Sequence, residues 1–169
     1  MKNLLRILLL TLLLQACQEK VQMSSISPVN WEKRSIEPQS RDSLKKGSTY
    51  LSVYSQIYSQ SDRTTHDLTA TVSMHNTNKT DTIYINKAEY FDTDGNSIRT
   101  YFDKTIFVAP MATVQIIIDE HDREGGTGAN FIFEWMIKPG SNEPFFEAVM
   151  ISTSGQQGLS FKTEGKKLN

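Results

Sequence analysis

The chain has 169 residues, 38% hydrophobic and 22% charged, with 18 Lys and Arg against 19 Asp and Glu and a formal charge of −1. That length suits one globular core with an appendage, because about 100 to 150 residues fill a single core. The near-neutral balance argues against nucleic acid, which asks for a clustered basic face; the basic pairs Lys45-Lys46 and Lys166-Lys167 flank the domain and read as solvated ends.

Met1-Lys2-Asn3 is followed by Leu4 to Leu14, an aliphatic run interrupted only by Arg6 and Thr11, and then by Gln15-Ala16-Cys17. A charged start, an apolar stretch and a small residue at a cut site make an export leader over residues 1–16. Eleven residues rise only about 17 Å as a helix, whereas crossing the hydrocarbon core takes roughly 20 residues, so a removed leader is expected rather than a permanent span. Leu14-Gln15-Ala16-Cys17 resembles a bacterial lipobox, although Gln15 is less usual at its position. That resemblance implies cleavage before Cys17 and a lipid anchor on that residue, a fatty acid such as palmitate, with the chain held to a membrane at a periplasmic or surface face of the cell envelope. Cys17 is the sole cysteine, so no disulfide forms within one chain. Loss of Lys2 and Arg6 with the leader leaves 16 basic against 19 acidic residues and a charge of −3.

Residues 17–46 are polar and aperiodic, with Pro28 and Pro38, and read as a flexible tether reaching roughly 30 Å on average. Trp31 is a lone aromatic within it. From residue 47 to 162 the pattern changes to runs rich in β-branched and aromatic residues separated by turn formers. Seven runs are expected as strands: Tyr50 to Tyr58, Asp67 to His75, Thr82 to Phe91, Ser97 to Val108, Thr113 to Asp119, Asn130 to Ile137 and Phe145 to Thr153. Leu68, Ala70, Val72 and Met74 share one face of their run, opposite Thr69, Thr71, Ser73 and His75, so one side of that strand is buried. Hairpin chemistry between runs, as in Asp92-Thr93-Asp94-Gly95-Asn96, favours antiparallel pairing, and no helical crossover stripe is present. The expected fold is an all-β, immunoglobulin-like antiparallel sandwich of about seven strands, ending in a disordered tail at 163–169.

Several blocks within the runs carry a family resemblance: Tyr50-Leu-Ser-Val-Tyr-Ser-Gln-Ile-Tyr58, Asn76-Thr77, Tyr90-Phe-Asp-Thr-Asp-Gly95, Gly125-Gly-Thr-Gly-Ala-Asn-Phe131 with Glu134-Trp135, Glu147-Ala-Val-Met-Ile151, and Gln156-Gln-Gly-Leu-Ser-Phe161. Together they resemble the DUF3124 family from about Gly47 to Phe161. The resemblance implies a bacterial, exported protein with no assigned chemistry. Gln56 stands where that pattern usually has histidine and Met74-His75 where it has Ile-Arg, which argues against a histidine-based site.

The candidate binding residues are Gly125, Gly126, Thr127, Gly128 and Asn130, because glycines at this density let backbone N–H groups converge on a ligand. The same density also serves a tight connection between strands. Neither a phosphate loop nor a dinucleotide fingerprint is present, since the Lys-Ser/Thr is missing and the block opens a strand. Glu134, Trp135 and Glu147 complete the set: each carboxylate interrupts an apolar row, and two of them about 5 to 10 Å apart would make an acid and base pair. A calcium loop over Asp92, Asp94, Asn96 and Asp103 fails because Gly95 falls at the wrong position and Arg99 lies inside. His66, His75 and His121 lack metal-ligand spacing, so neither metal nor cofactor is expected. The leading reading is a non-enzymatic binding or accessory lipoprotein whose partner is an envelope protein or glycan; the alternatives are a glycan hydrolase using Glu134 and Glu147, and a structural spacer.

Overall fold

The computed structural model describes residues 30–38, 43–153 and 158–169. The leader, Cys17 and most of the expected tether lie outside the described residues. The described chain is an antiparallel β-sandwich. In its first sheet, β1 (Lys45–Ser52), β5 (Ile83–Phe91), β6 (Ser97–Thr100), β7 (Ile106–Val108), β9 (Asn130–Ile137) and β12 (Lys166–Lys167) run in the order β12-β1-β9-β5-β6, with β7 also on β5. The second sheet is β11 (Leu159–Glu164), β10 (Phe145–Ser152), β4 (Thr69–His75) and β8 (Thr113–Ile118), in that order, and β2 (Gln56–Ser59) pairs β3 (Ser61–Asp67) in a separate hairpin.

Alternation decides what is buried. Leu68, Ala70, Val72 and Met74 are fully buried, as are the inward Phe131, Phe133 and Trp135 of β9. An aromatic column crosses the core, Tyr90 to Phe131 at 4.7 Å, Phe131 to Phe133 at 5.3 Å and Phe133 to Phe146 at 4.4 Å, so β5, β9 and β10 are locked together across both sheets. Stacked and offset rings add to the area they bury. Trp135 closes the other end of β9, where its indole N–H donates to Thr49 Oγ1 at 3.0 Å. Gly47 leaves room for that ring, since a Cβ there would lie 2.4 Å from it.

Among the described residues, twelve strands replace the expected seven. The run at 50–58 splits because Val53 and Ser55 turn their N–H groups to the Ala129 and Gly126 carbonyls, which carries the chain out of the first sheet into the β2–β3 hairpin. The run at 97–108 splits where Phe102 drops into the core and Asp103-Lys104 bend outward. β3 escapes an apolar pattern because its first five residues are exposed and its pairing with β2 is backbone bonds plus polar contacts of Gln56 with Thr65 and Asp67.

Both ends of the domain also differ from expectation. Residues 163–169 are not a disordered tail: Thr163 and Glu164 finish β11, Gly165 donates its N–H to Phe146 O, and Lys166-Lys167 pair with Tyr50 and Thr49 of β1. The two basic pairs do not simply point into solvent, because Lys45 and Lys167 both bond Glu143, at 2.7 and 2.6 Å. Nor is the whole of residues 17–46 a free tether. Trp31–Arg34 forms a 3-10 turn, Trp31 is only 8% exposed with its ring 5.0 Å from Phe102, and Ile36 N–H donates to Thr105 O.

Phe146→Ala is expected to cost about 3 to 5 kcal/mol in urea unfolding, because it opens a cavity against Phe133. Trp31→Ala should act locally: amide exchange in residues 30–38 rises sharply, while β4 and β9 keep their protection.

Candidate functional site

The Gly125–Asn130 block lies between β8 and β9, and its glycines are there for close approach. A Cβ on Gly125 would fall 2.0 Å from Tyr90 Oη and 2.7 Å from the Ala129 Cβ; one on Gly126, whose φ is +70°, would fall 2.8 Å from Thr93 Oγ1. Several backbone groups of the block are spent within the fold. Gly125 O accepts from Thr93 N–H and Thr93 Oγ1, Gly126 O accepts from the N–H groups of Ser55 and Gln56, and Gly128 N–H donates to Thr93 Oγ1. Thr127 is half-buried in the same turn, and Asn130 opens β9 between Ser52 and Phe91. The block therefore ties the β1–β2 corner and the β5–β6 turn to β9, and these carbonyl-rich contacts do not form an anion cradle.

Behind the block lies a charged cluster that sequence reasoning missed. Arg99 of β6 donates to Asp122 at 2.9 Å, to the Tyr101 hydroxyl at 3.0 Å and to Glu124 at 2.8 Å. Asp122 is 1% exposed, so a buried carboxylate is neutralised in place, which the isolated Arg99 of the sequence gave no reason to expect. Beside it the Tyr90 hydroxyl is buried close to Ser55, without a hydrogen bond of normal geometry. Burial pushes the Tyr90 phenol well above its ordinary value near 10, and the Asp122 and Tyr101 charges add to that; burial likewise raises Tyr101, against the opposing bond from Arg99.

The turn at Asp92–Asn96 is a hairpin device. The Asp92 carboxylate accepts from the N–H groups of Asp94 and Asn96 and from the Asn96 amide, which holds it below the usual carboxylate range, and Gly95 takes φ +84°. Among the described residues no three His, Cys, Asp or Glu side chains are gathered as a metal site would need.

Glu134 and Glu147 are not brought together. Glu134 is exposed on the outer face of the first sheet, beside Ser48 and Lys87, and shares a shallow groove of about 320 Å³ with Trp135, Lys46 and Asn169. Glu147 is half-buried on the outer face of the second sheet, 3.4 Å from His75 Nε2 and 3.8 Å from Lys162. The full thickness of the core separates them, since Phe133 and Phe146, their immediate neighbours, stack on each other inside. His75 also meets Thr113 Oγ1 at 2.8 Å and stacks on Phe145 at 5.5 Å, a cross-strand row on an open sheet face.

A larger concavity than the one beside Glu134 lies elsewhere. A groove of about 510 Å³ runs between the docked Asn30–Ser35 segment and the β6–β7 loop, with Trp31, Phe102 and Ile106 on its apolar side and Glu32, Asp103 and Lys104 as its charges. Trp31 Nε1 is buried there without a hydrogen-bond partner. In the sequence only an aromatic residue standing alone in a polar stretch hinted at it.

The family model described as a protein of unknown function, DUF3124, matches residues 46–168. The chain belongs to the DUF3124 family. Its match takes in every strand but the first residue of β1, and it begins after the docked segment. The groove is thus built half from the DUF3124 domain and half from the residues that precede it. Among solved structures the chain is similar to the crystal structure of Thermotoga maritima 1070, at 10% identity and a TM-score of 0.46, over 71% of this chain and 92% of that one. No curated protein matches the sequence.

Gly125→Ala is expected to destabilise this DUF3124 domain by about 1 to 3 kcal/mol through overpacking. Tyr90→Phe should be neutral or stabilising, because it removes a buried hydroxyl that lacks a hydrogen bond of normal geometry, and combined with Gly125→Ala it should recover part of the loss in a double-mutant cycle. The raised phenols also give a pH sign. Above pH 10 the unfolded chain loses phenolic protons that the folded chain keeps, so stability falls as pH climbs past that value until the folded phenols ionise too. Unfolding midpoints measured from pH 8 to 11 should show that decline in the parent and a shallower one in Tyr90→Phe.

Proposed function

We propose that this DUF3124 chain is a lipid-anchored, non-enzymatic binding module of the bacterial cell envelope, tethered through Cys17 and engaging an envelope protein or glycan through the groove at Trp31. The observation that carries this reading is the groove itself. Its volume of about 510 Å³ falls in the range of ligand sites, and it pairs an apolar wall with a few charges that can orient a guest. Its second wall is the segment arriving from Cys17, so anchoring and binding meet at one place. From Cys17 to Asn30 the chain spans at most roughly 45 Å when extended, which keeps the groove near the surface of the membrane that holds the lipid.

The competing hydrolase reading lacks a geometry. A glycosidase pair needs its carboxylates on either side of one scissile bond, whereas Glu134 and Glu147 face opposite solvents. A Glu134→Gln, Glu147→Gln double variant is therefore expected to complement a deletion strain fully.

A photoreactive phenylalanine at Lys104, in the full-length chain in its own membrane, should give a discrete cross-linked adduct on irradiation. The same group at exposed Lys79, in the β4–β5 loop, should not. Adducts of equal yield from both positions, or none from Lys104, would remove the groove from the proposal. The anchor is checked separately by mass spectrometry of protein purified from its own bacterium: a fatty acid on residue 17 and no residues 1–16 are expected, and an intact leader overturns the placement.

A further inference from the structure

A sheet ends in a strand with unpaired N–H and C=O groups on one side, and such edges recruit other strands unless they are covered, shortened or charged. The outer strands of this sandwich differ sharply in how they meet that requirement. β12 is two residues long and both are lysines; β11 carries Lys162 and Glu164; β3 carries Asp62 and Arg63; β6 carries Arg99; β2 is uncharged but only four residues long. β7 is covered, because Ser35 bridges Ile106 and Ile36 donates to Thr105 O. β8 is different. It pairs only β4 among the described residues, it is six residues long, and its sequence Thr-Val-Gln-Ile-Ile-Ile holds no charge and no proline.

The same strand complements itself. Val114, Ile116 and Ile118 point into the core, while Thr113 and Gln115 are exposed and Ile117 is half-covered on the outer face. In antiparallel pairing, residues directly opposite each other share a face, so a second β8 fits only in registers that keep outward residues together. A two-fold axis at Gln115 does this. Gln115 meets its own copy: each amide donates one N–H to Ser73 Oγ of its own chain at 3.2 Å, which leaves its second N–H and its carbonyl to exchange hydrogen bonds across the axis, while Thr113 meets Ile117 and inward Val114 meets Ile116. Beyond the strand, Asp119 falls opposite Met111 and Glu120 opposite Pro110, so no like charges collide. Centring one residue later sets the Gln115 amide against Ile117 instead and brings Asp119 to Thr113.

We propose that β8 is a homodimerisation edge, at which two copies pair antiparallel about Gln115 and join their four-stranded sheets into one continuous sheet of eight. The interface uses neither the groove nor the Gly125–Asn130 block, so it stands whether or not either binds a ligand. Two chains held in one membrane plane would meet at raised effective concentration, which favours a contact of modest area.

The test is cross-linking in the full-length chain in its native membrane, with the parent chain as the blank for Cys17. Gln115→Cys should form a disulfide-linked dimer on mild oxidation, since opposite Cβ atoms lie about 4.5 to 5.5 Å apart. Thr113→Cys alone should not, whereas co-expressed Thr113→Cys and Ile117→Cys chains should link to each other. Gln115→Lys places two like charges at the axis, and in detergent the parent is expected to sediment as a dimer and this variant as a monomer with an unchanged circular dichroism spectrum. A monomeric parent, equal cross-linking from Lys79→Cys, or a Gln115→Cys adduct to some other protein would each overturn the proposal.

Discussion

The stacked rings of Tyr90, Phe131, Phe133 and Phe146 are the contact on which the rest of the molecule depends. They belong to three strands in two sheets, and they fix the rotation of β9 about its own axis. Once Phe131, Phe133 and Trp135 face inward, the period of two leaves Glu134 no choice but solvent. The same logic applied to Phe146 sends Glu147 outward on the far side. Two carboxylates that look comparable in the sequence are thus parted by the hydrophobic layer they flank. The hydrolase idea fails on sheet geometry before any question of acidity arises.

Each end of the sandwich is closed by polar side chains that gather loops. At one end Thr93 and the Gly125–Gly128 turn exchange hydrogen bonds while Arg99 neutralises Asp122. Towards the other, Asn76 donates to the Asp81 and Val108 carbonyls, and Asn78 bonds Asn76 and both backbone groups of Asn142, so the β4–β5, β7–β8 and β9–β10 connections are joined. Buried amides satisfied this completely specify one arrangement of loops, because any other leaves donors unpaired in a low-dielectric interior. Loops committed to that task have few free groups for a ligand. The flank of the sandwich, where the N-terminal segment docks, is where an open concavity remains.

Much of this was legible in the sequence. Apolar alternation located β4, β5, β8, β9 and β10 to within about two residues, and the antiparallel sandwich follows from those strands and their hairpin turns. The block resemblance from Gly47 to Phe161 lies inside the family match at residues 46–168. What stayed hidden depends on contacts far apart in the chain. β12 exists because Thr49 and Tyr50 offer a backbone edge more than a hundred residues upstream, and Lys166-Lys167 carry no pattern that announces it. The density of glycine at 125–128 was visible, yet its cause is the proximity of Tyr90 and Thr93, which no local rule reports. Arg99 meets Asp122 only after β6 has folded back on β5.

The docked segment at 30–38 solves a problem that the matched domain leaves open. β7 is three residues long and pairs β5 on one side only, so its other side would present bare backbone beside Ile106 and Val108, both fully buried in this structure. Ser35 and Ile36 supply the missing partner, and their hold is weak in itself: a single isolated bridge, to which the Ile36 N–H bond to Thr105 O belongs. Trp31 makes it durable, because burying an indole against Phe102 contributes more than such a hydrogen bond. The cover is also the wall of the groove, so whatever occupies that groove rests on the same ring that shields the edge. Groove wall and edge cover therefore share one side chain, so releasing Trp31 from Phe102 would bare the β7 backbone and open the groove in the same step.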